Sequence, residues 1–102
     1  MDAITISRQF IDLVRQQGIT LDQAYLCGSF ARGKTWEGSD IDVCLVSPNF
    51  AKDYETEKQL IVKSALAVDP RLEPVLYTPA QFANKYDTLA AEVKRFGISL
   101  IK

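Results

Sequence analysis

The chain has 102 residues, 47% of them hydrophobic, so we expect one folded domain over residues 1–102 rather than a disordered segment. The formal net charge is −1, from 12 basic and 13 acidic residues, which argues against a nucleic-acid binder that works mainly by electrostatics. The sequence has no histidine, which excludes a Ser-His-Asp triad, a histidine zinc site and a histidine general base.

Targeting signals and disulfides are not evident in the sequence. There is no apolar run of about eighteen residues and no charged-then-apolar leader, so we expect a cytoplasmic protein without a membrane span or signal peptide. The two cysteines, Cys27 and Cys44, lie in apolar, strand-like runs. We expect them to be buried, reduced thiols on adjacent strands.

Residues 4–17 form the first predicted element, a helix with apolar side chains at helical spacing. Its apolar face consists of Ile6, Phe10, Leu13 and Val14. Gly18 is expected to end this helix. The apolar run over residues 24–27 then predicts a short buried strand, which Gly28 ends.

A turn and a loop separate this strand from the next one. Ser29 is expected to cap a helical turn over residues 30–32. Residues 33–38 are rich in glycine and charge, which predicts a loop. Residues 41–46 form the second predicted strand, and the Ser-Pro-Asn sequence at 47–49 ends it.

The second half of the chain predicts further helices and strands. A helix over residues 52–68 carries an apolar stripe, and the Asp69-Pro70 pair ends it. The stripe consists of Tyr54, Leu60, Ile61, Ala65 and Val68. The elements that follow are a strand over 72–77, a short helix over 80–84, a helix capped by Asp87 or Thr88 that ends at Phe96, and a strand over 98–101. This order predicts an α/β domain with a small mixed sheet flanked by helices.

Asp40 and Asp42 are the strongest candidates for chemistry. Because successive strand side chains point to opposite faces, the two aspartates share one face, and Ile41, Val43 and Leu45 point the other way into a core. Two neighbouring carboxylates repel each other unless a cation lies between them, and hard oxygen ligands suit Mg²⁺. The alternative is an acidic, solvent-facing strand edge, but aspartate is disfavoured in strands.

Gly28 and Ser29 stand ten residues before this aspartate pair and are the candidate phosphate-binding residues. Glycine lets the backbone approach a ligand closely, and the turn can offer backbone N–H groups and a hydroxyl to phosphates. The alternative is a plain strand-to-helix turn with a serine cap. Arg32 either reaches the triphosphate or braces the loop, and Ser39 orients Asp40 or caps the loop. We therefore predict that the phosphates of a ligand are bound by Gly28, Ser29, Arg32 and Ser39, and the family resemblance given next implies that this ligand is a nucleotide.

The pattern Gly-Ser-x10-Asp-x-Asp resembles the signature of the DNA polymerase beta-like nucleotidyltransferases. Residues 28–33 (Gly-Ser-Phe-Ala-Arg-Gly) and 39–43 (Ser-Asp-Ile-Asp-Val) are similar to those of the minimal nucleotidyltransferases, small proteins often paired with a HEPN-domain partner in prokaryotic toxin–antitoxin modules. The resemblance implies a polymerase beta-like fold. It also implies a third acid on the strand after the second long helix, which is Glu73 here. In the family that residue completes the metal cluster with Asp40 and Asp42 or acts as general base. The alternative for Glu73 is an exposed glutamate on an edge strand, which Pro74 would mark.

The resemblance further implies an activity and a partner. The expected activity is a Mg²⁺-dependent transfer, with two ions, of AMP from ATP to a hydroxyl of a partner protein. The expected partner is a HEPN toxin, to which this chain would be the antitoxin. Larger relatives add a helical domain that holds the acceptor, so we expect a second polypeptide to complete the acceptor site.

Two alternatives remain open at this point. One keeps the chemistry and changes the acceptor to a small molecule, such as an aminoglycoside-like hydroxyl compound. The other is a binding module that neutralises its partner by contact and uses nucleotide only as a ligand or not at all. Replacing Asp40 and Asp42 by asparagine separates an enzyme from a contact antitoxin, because only the enzyme loses its effect.

Overall fold

The computed structural model describes residues 2–31, 33 and 39–101, and the side chains of Ser29 and Phe30 lie outside that description. The helices are α1 (Ala3–Gln16), α2 (Gly28–Ala31), α3 (Tyr54–Val68), α4 (Pro79–Phe82) and α5 (Thr88–Phe96). The strands are β1 (Gln23–Cys27), β2 (Ile41–Val46), β3 (Leu72–Tyr77) and β4 (Ile98–Ser99). A 3₁₀ turn over Pro48–Ala51 follows β2. No helix in these ranges is long and apolar enough to cross a membrane.

The described strands form one mixed sheet in the order β3-β2-β1-β4. β1 runs antiparallel to both β2 and β4, whereas β2 and β3 run parallel. Parallel neighbours need a crossover connection, which α3 supplies here. The predicted fold class, a small mixed sheet flanked by helices, is confirmed.

One face of the sheet packs against α1 and α3. Ile41, Val43 and Leu45 of β2 are fully buried there, as their alternation with the aspartates predicts. α1 contributes its apolar face, on which Phe10 and Val14 are also fully buried. Asp2 caps α1 by accepting a hydrogen bond from the Thr5 amide at 2.8 Å. Leu13, predicted to share this buried face, lies at its margin and remains partly exposed.

The other face of the sheet packs against α4 and α5. Its second core cluster contains both cysteines, together with Tyr77, Phe82 and Val93. The thiols are buried and unpaired, as predicted, and lie on the adjacent strands β1 and β2. Burial raises the pKa of both thiols to about 12, so they are unreactive at neutral pH.

The second long helix differs from its prediction. It begins at Tyr54 rather than at residue 52, because the 3₁₀ turn precedes it and Asp53 caps it, accepting from the Thr56 amide at 3.2 Å. Tyr54 and Leu60, placed on the buried stripe by the sequence, are 41% and 38% exposed. The helix packs through Ile61 and the residues one turn away from it, and Leu60 is rotated about 100° around the axis from Ile61.

Two shorter elements also differ at their ends. The short helix runs over Pro79–Phe82 rather than 80–84, because Thr78 caps it and Pro79 occupies its first position. The last strand stops at Ser99 instead of residue 101. Ile98 and Ser99 pair with β1, and beyond the strand the Leu100 amide still donates to the Ala24 carbonyl oxygen at 2.8 Å. The last long helix ends at Phe96 as predicted, with Asp87 as its cap.

Candidate functional site

The acidic residues meet where β2 begins. Asp42 is the second residue of β2 and is directly opposite Glu73 in the parallel pairing with β3. In the antiparallel pairing with β1, Asp42 is opposite Cys27. Residues paired in register project to the same face of a sheet, so the Asp42 and Glu73 carboxylates stand side by side on the α5 face.

Asp40 lies two residues before Asp42 and is exposed. Burial raises the pKa of Asp42 above its ordinary value of 3.8, and the charges of Asp40 and Glu73 raise it further. The three predicted acids therefore act on one another electrostatically, with Asp42 in the middle. Such a group of carboxylates repels itself when ionised, and a bound cation would relieve that repulsion.

Gly28 lies against the Asp42 carboxylate. Its φ of +68° is in the left-handed region, which side chains other than glycine rarely adopt. A Cβ added at this position would collide with a carboxylate oxygen of Asp42 and lie 3.1 Å from its Cγ. The positive φ therefore favours glycine, and a Cβ here would also displace the end of the flexible Asp42 side chain, so the backbone of the 28–29 turn is placed beside the acids.

Ser29 occupies a different place in this turn from the one predicted. The helical turn begins at Gly28, so Ser29 lies within α2 and is not the residue that caps it. The predicted role of the Ser29 hydroxyl in phosphate binding falls outside the described residues, because its side chain is not among them.

Of the two remaining predicted nucleotide-binding residues, the structure describes Ser39 but not Arg32. Ser39 is buried, with 3% of its surface exposed, directly before Asp40. Whether Ser39 orients Asp40 or caps the loop stays a prediction. Arg32 lies outside the described residues, as do Lys34 and Trp36 of the following loop.

The carboxylates of this site fit a Mg²⁺ ion that is held jointly by the protein and by the phosphates of a substrate. Within residues 2–31, 33 and 39–101, no group of three or more carboxylate and thiol side chains is arranged to hold a metal ion by itself. Mg²⁺ is seldom held in an all-protein cage and is commonly bound by one or two carboxylates, water and the phosphates of a substrate. Asp40 and Asp42 are such a pair, beside a backbone turn that can admit phosphate.

Two residues near the acids were missed by the sequence reasoning. The buried Cys27 thiol donates to the Asp42 backbone oxygen at 3.4 Å from the neighbouring strand β1. Glu92 of α5 acts on the same thiol, since its negative charge contributes to the raised pKa of Cys27. The signal for Cys27 was present in the sequence, because it directly precedes Gly28 in a strand next to the acidic one. Nothing in the sequence placed α5 over this end of the sheet.

Comparison with known proteins gives a matching family model and similar solved structures. A family model described as a nucleotidyltransferase domain matches residues 7–95. A protein of Sulfolobus solfataricus assigned to the nucleotidyltransferases superimposes with a TM-score of 0.62 at 16% identity, over 94% of this chain and 77% of that one. A toxin–antitoxin structure solved with AMP-PNP superimposes with a TM-score of 0.65 at 25% identity, over 92% of this chain and 72% of that one. No curated protein sequence matches the chain significantly.

Proposed function

This chain belongs to the nucleotidyltransferase domain family and is a nucleotidyltransferase, and from that premise we propose that it transfers AMP from ATP to a hydroxyl group of a partner protein. The partner we propose is a HEPN toxin, to which this chain is the antitoxin. The observation that carries the proposal is the contact between Gly28 and the Asp42 carboxylate, with Glu73 beside Asp42 in the sheet. This contact supports the proposal that the 28–29 turn and the acids act as one site.

Each residue of the site has a proposed role in the transfer. Asp40 and Asp42 would hold Mg²⁺, with two ions as in the family this sequence resembles. When bound, Mg²⁺ neutralises charge on the phosphate oxygens of the nucleotide. The backbone of Gly28 and Ser29 would bind the triphosphate, and Ser39 and Arg32 would support this binding.

The transfer itself joins the acceptor oxygen to the α-phosphorus and breaks the bond from that phosphorus to the bridging oxygen of pyrophosphate, which leaves. Glu73 takes the proton of the acceptor hydroxyl. It is exposed and stands next to Asp42, so an acceptor can approach it from solvent. Because the chain has no histidine, a carboxylate is the natural proton acceptor here.

The choice of acceptor rests on the similar toxin–antitoxin structure and on the motif at residues 28–43. That structure is of a toxin–antitoxin pair with an ATP analogue, at 25% identity to this chain. A protein partner is therefore favoured over an aminoglycoside-like small molecule. We further propose that residues 1–102 act as a single catalytic domain in the cytoplasm and that the partner completes the acceptor site.

The test mixes the purified chain, Mg²⁺ and ATP labelled at the α-phosphate with the protein encoded beside it in the genome. We expect label on that protein, and we expect its loss in the Asp40→Asn and Asp42→Asn variants, which keep the size of the side chain but bind metal poorly. Asp12→Asn is the matched control, because Asp12 is an exposed aspartate on α1. A stable complex that never becomes labelled would replace the transferase proposal with a contact antitoxin.

A further inference from the structure

The outer side of α3 is an exposed apolar surface far from the acidic site. α3 packs Ile61 and Ala65 onto the sheet face that lies opposite the one carrying Asp42 and Glu73. Its outward side carries Val62 and Leu66, which are 37% and 62% exposed. Isolated exposed apolar residues are common on protein surfaces, so the question is whether these two form part of a continuous patch.

Two adjoining grooves extend the surface around them, and the residue that the grooves share is a lysine rather than an apolar side chain. The first has a volume of about 380 Å³ and is lined by Glu55, Lys58, Gln59, Val62, Lys63 and Leu66. The second, of about 370 Å³, lies between α1 and α3, where Leu13, Leu60 and Ala67 are among its lining residues. Lys63 lines both grooves, so the grooves meet at this residue. We call this patch the α3 surface.

The spacing along α3 suits a second helix. Gln59, Val62 and Leu66 follow one another at intervals of three and four residues, which is the spacing of the a and d positions of a coiled-coil seam. Lys58 and Lys63 then occupy the flanking g and e positions, and Glu55 occupies the preceding d position, so the seam is apolar only from Val62 onward. Residues at these flanking positions select a partner by charge.

The two lysines have no acidic partner of their own. The Lys58 ammonium lies 5.8 Å from the centre of the Tyr54 ring, and in the described part of the chain neither lysine forms an ion pair. A second copy of this chain would place lysine against lysine whether the two helices ran parallel or antiparallel. Like charges at such positions oppose pairing, whereas glutamate or aspartate at the matching positions favours it.

We propose that the α3 surface binds an amphipathic helix of a partner protein, one with an apolar stripe and acidic flanks. The apolar stripe covers Val62 and Leu66, and the acidic side chains pair with Lys58 and Lys63. This surface lies on the opposite side of the sheet from the acidic site, so binding does not require nucleotide. Failure of the transfer reaction therefore leaves this proposal standing, and the reverse also holds.

The probe for this proposal is a synthetic helical peptide of four heptads, with leucine at a and d and glutamate at e and g. Its like-charged flanks keep it from pairing with itself. We would titrate it into the ¹⁵N-labelled full chain without nucleotide and follow the amide signals. The expected result is saturable shifts confined to α3 and the neighbouring part of α1. A peptide with lysine at e and g should not bind.

Three variants decide between specific and general adhesion. Leu66→Asp and the double variant Lys58→Glu/Lys63→Glu should each weaken binding about tenfold or more, while the double variant should gain affinity for the lysine-flanked peptide. Leu89→Asp is the matched control, since Leu89 is a 40% exposed leucine on α5 and should not affect binding. Any of three results would overturn the proposal. They are an unchanged affinity of Leu66→Asp for the peptide, amide shifts that lie elsewhere on the chain, and a dimer of this chain that Leu66→Asp abolishes.

Discussion

Replacing Gly28 with alanine should disturb the site through two separable effects. The φ of +68° costs about 1–2 kcal/mol for a residue with a Cβ, because the left-handed conformation brings that atom close to the following carbonyl oxygen. The new Cβ also collides with the Asp42 carboxylate, 3.1 Å from Cγ and 3.4 Å from Cβ of Asp42. Moving Asp42 off its preferred rotamer adds about 0.5–1.5 kcal/mol. We therefore expect a larger loss of stability than the backbone alone explains, and a loss of transfer activity.

Gly18→Ala is the matched control for the backbone effect. Gly18 also has a positive φ, of +85°, but a Cβ there meets nothing within 4 Å. The melting temperature of Gly18→Ala should fall only by the cost of the positive φ. For a domain of this size each kcal/mol lowers the melting temperature by about 4–8 °C. Gly28→Ala should unfold at a lower temperature than this control, and only Gly28→Ala should lose activity.

A double-mutant cycle with Asp42→Ala isolates the contact between Gly28 and Asp42. In the Asp42→Ala background the colliding carboxylate is gone, so the additional cost of Gly28→Ala should fall to the value measured for Gly18→Ala. Contacting residues give coupling energies of about 0.5–3 kcal/mol in such cycles. The reasoning is refuted if Gly28→Ala costs the same in both backgrounds, or if it unfolds like Gly18→Ala and keeps full activity.

Four further changes test other parts of the structure. Asp42→Asn should raise the melting temperature of the metal-free protein at neutral pH. The pKa of Asp42 is raised above its ordinary value of 3.8, so ionisation of this carboxyl destabilises the folded state as the pH rises above 3.8. The gain in melting temperature should therefore shrink as the pH is lowered toward 3.8. Ser7→Ala should stabilise the fold by about 1–3 kcal/mol, measured by urea unfolding, because the buried Ser7 hydroxyl has no hydrogen-bond partner among the described residues. Ile61→Ala should destabilise it by about 2–5 kcal/mol in the same assay, because the Ile61 side chain is fully buried between α3 and the sheet. Asp87→Asn should lower the melting temperature at neutral pH, because hydrogen bonds from Ala90 and Tyr77 hold the pKa of the Asp87 carboxyl below 3.8 and stabilise its ionised form. The difference in melting temperature between wild type and variant should disappear as the pH falls through this lowered pKa, because the wild-type carboxylate is then protonated.

The element order and the acidic face could be predicted from local patterns in the sequence. The two-residue period of a strand puts Asp42 opposite to Ile41 and Val43, and β2 runs over Ile41–Val46 as expected. The same period separates Glu73 from the buried Leu72. Caps were also readable, since Asp87 precedes the last long helix as expected.

What the sequence could not supply are the contacts set by tertiary packing. That Glu73 lies opposite Asp42 depends on the register of two strands joined through α3, which no local pattern determines. The contact between Gly28 and Asp42 likewise depends on pairing between β1 and β2. The error on Leu60 has the same origin, because several positions of α3 are apolar and only packing decides which of them face the sheet.

The most direct test of the proposed activity is the intact mass of the partner protein after incubation with this chain, ATP and Mg²⁺. The account predicts a mass increase of one or more whole AMP units on a hydroxyl-bearing residue, and no increase when the chain carries Asp42→Asn. An unchanged mass, in a sample where the two proteins have formed a stable complex, would contradict it.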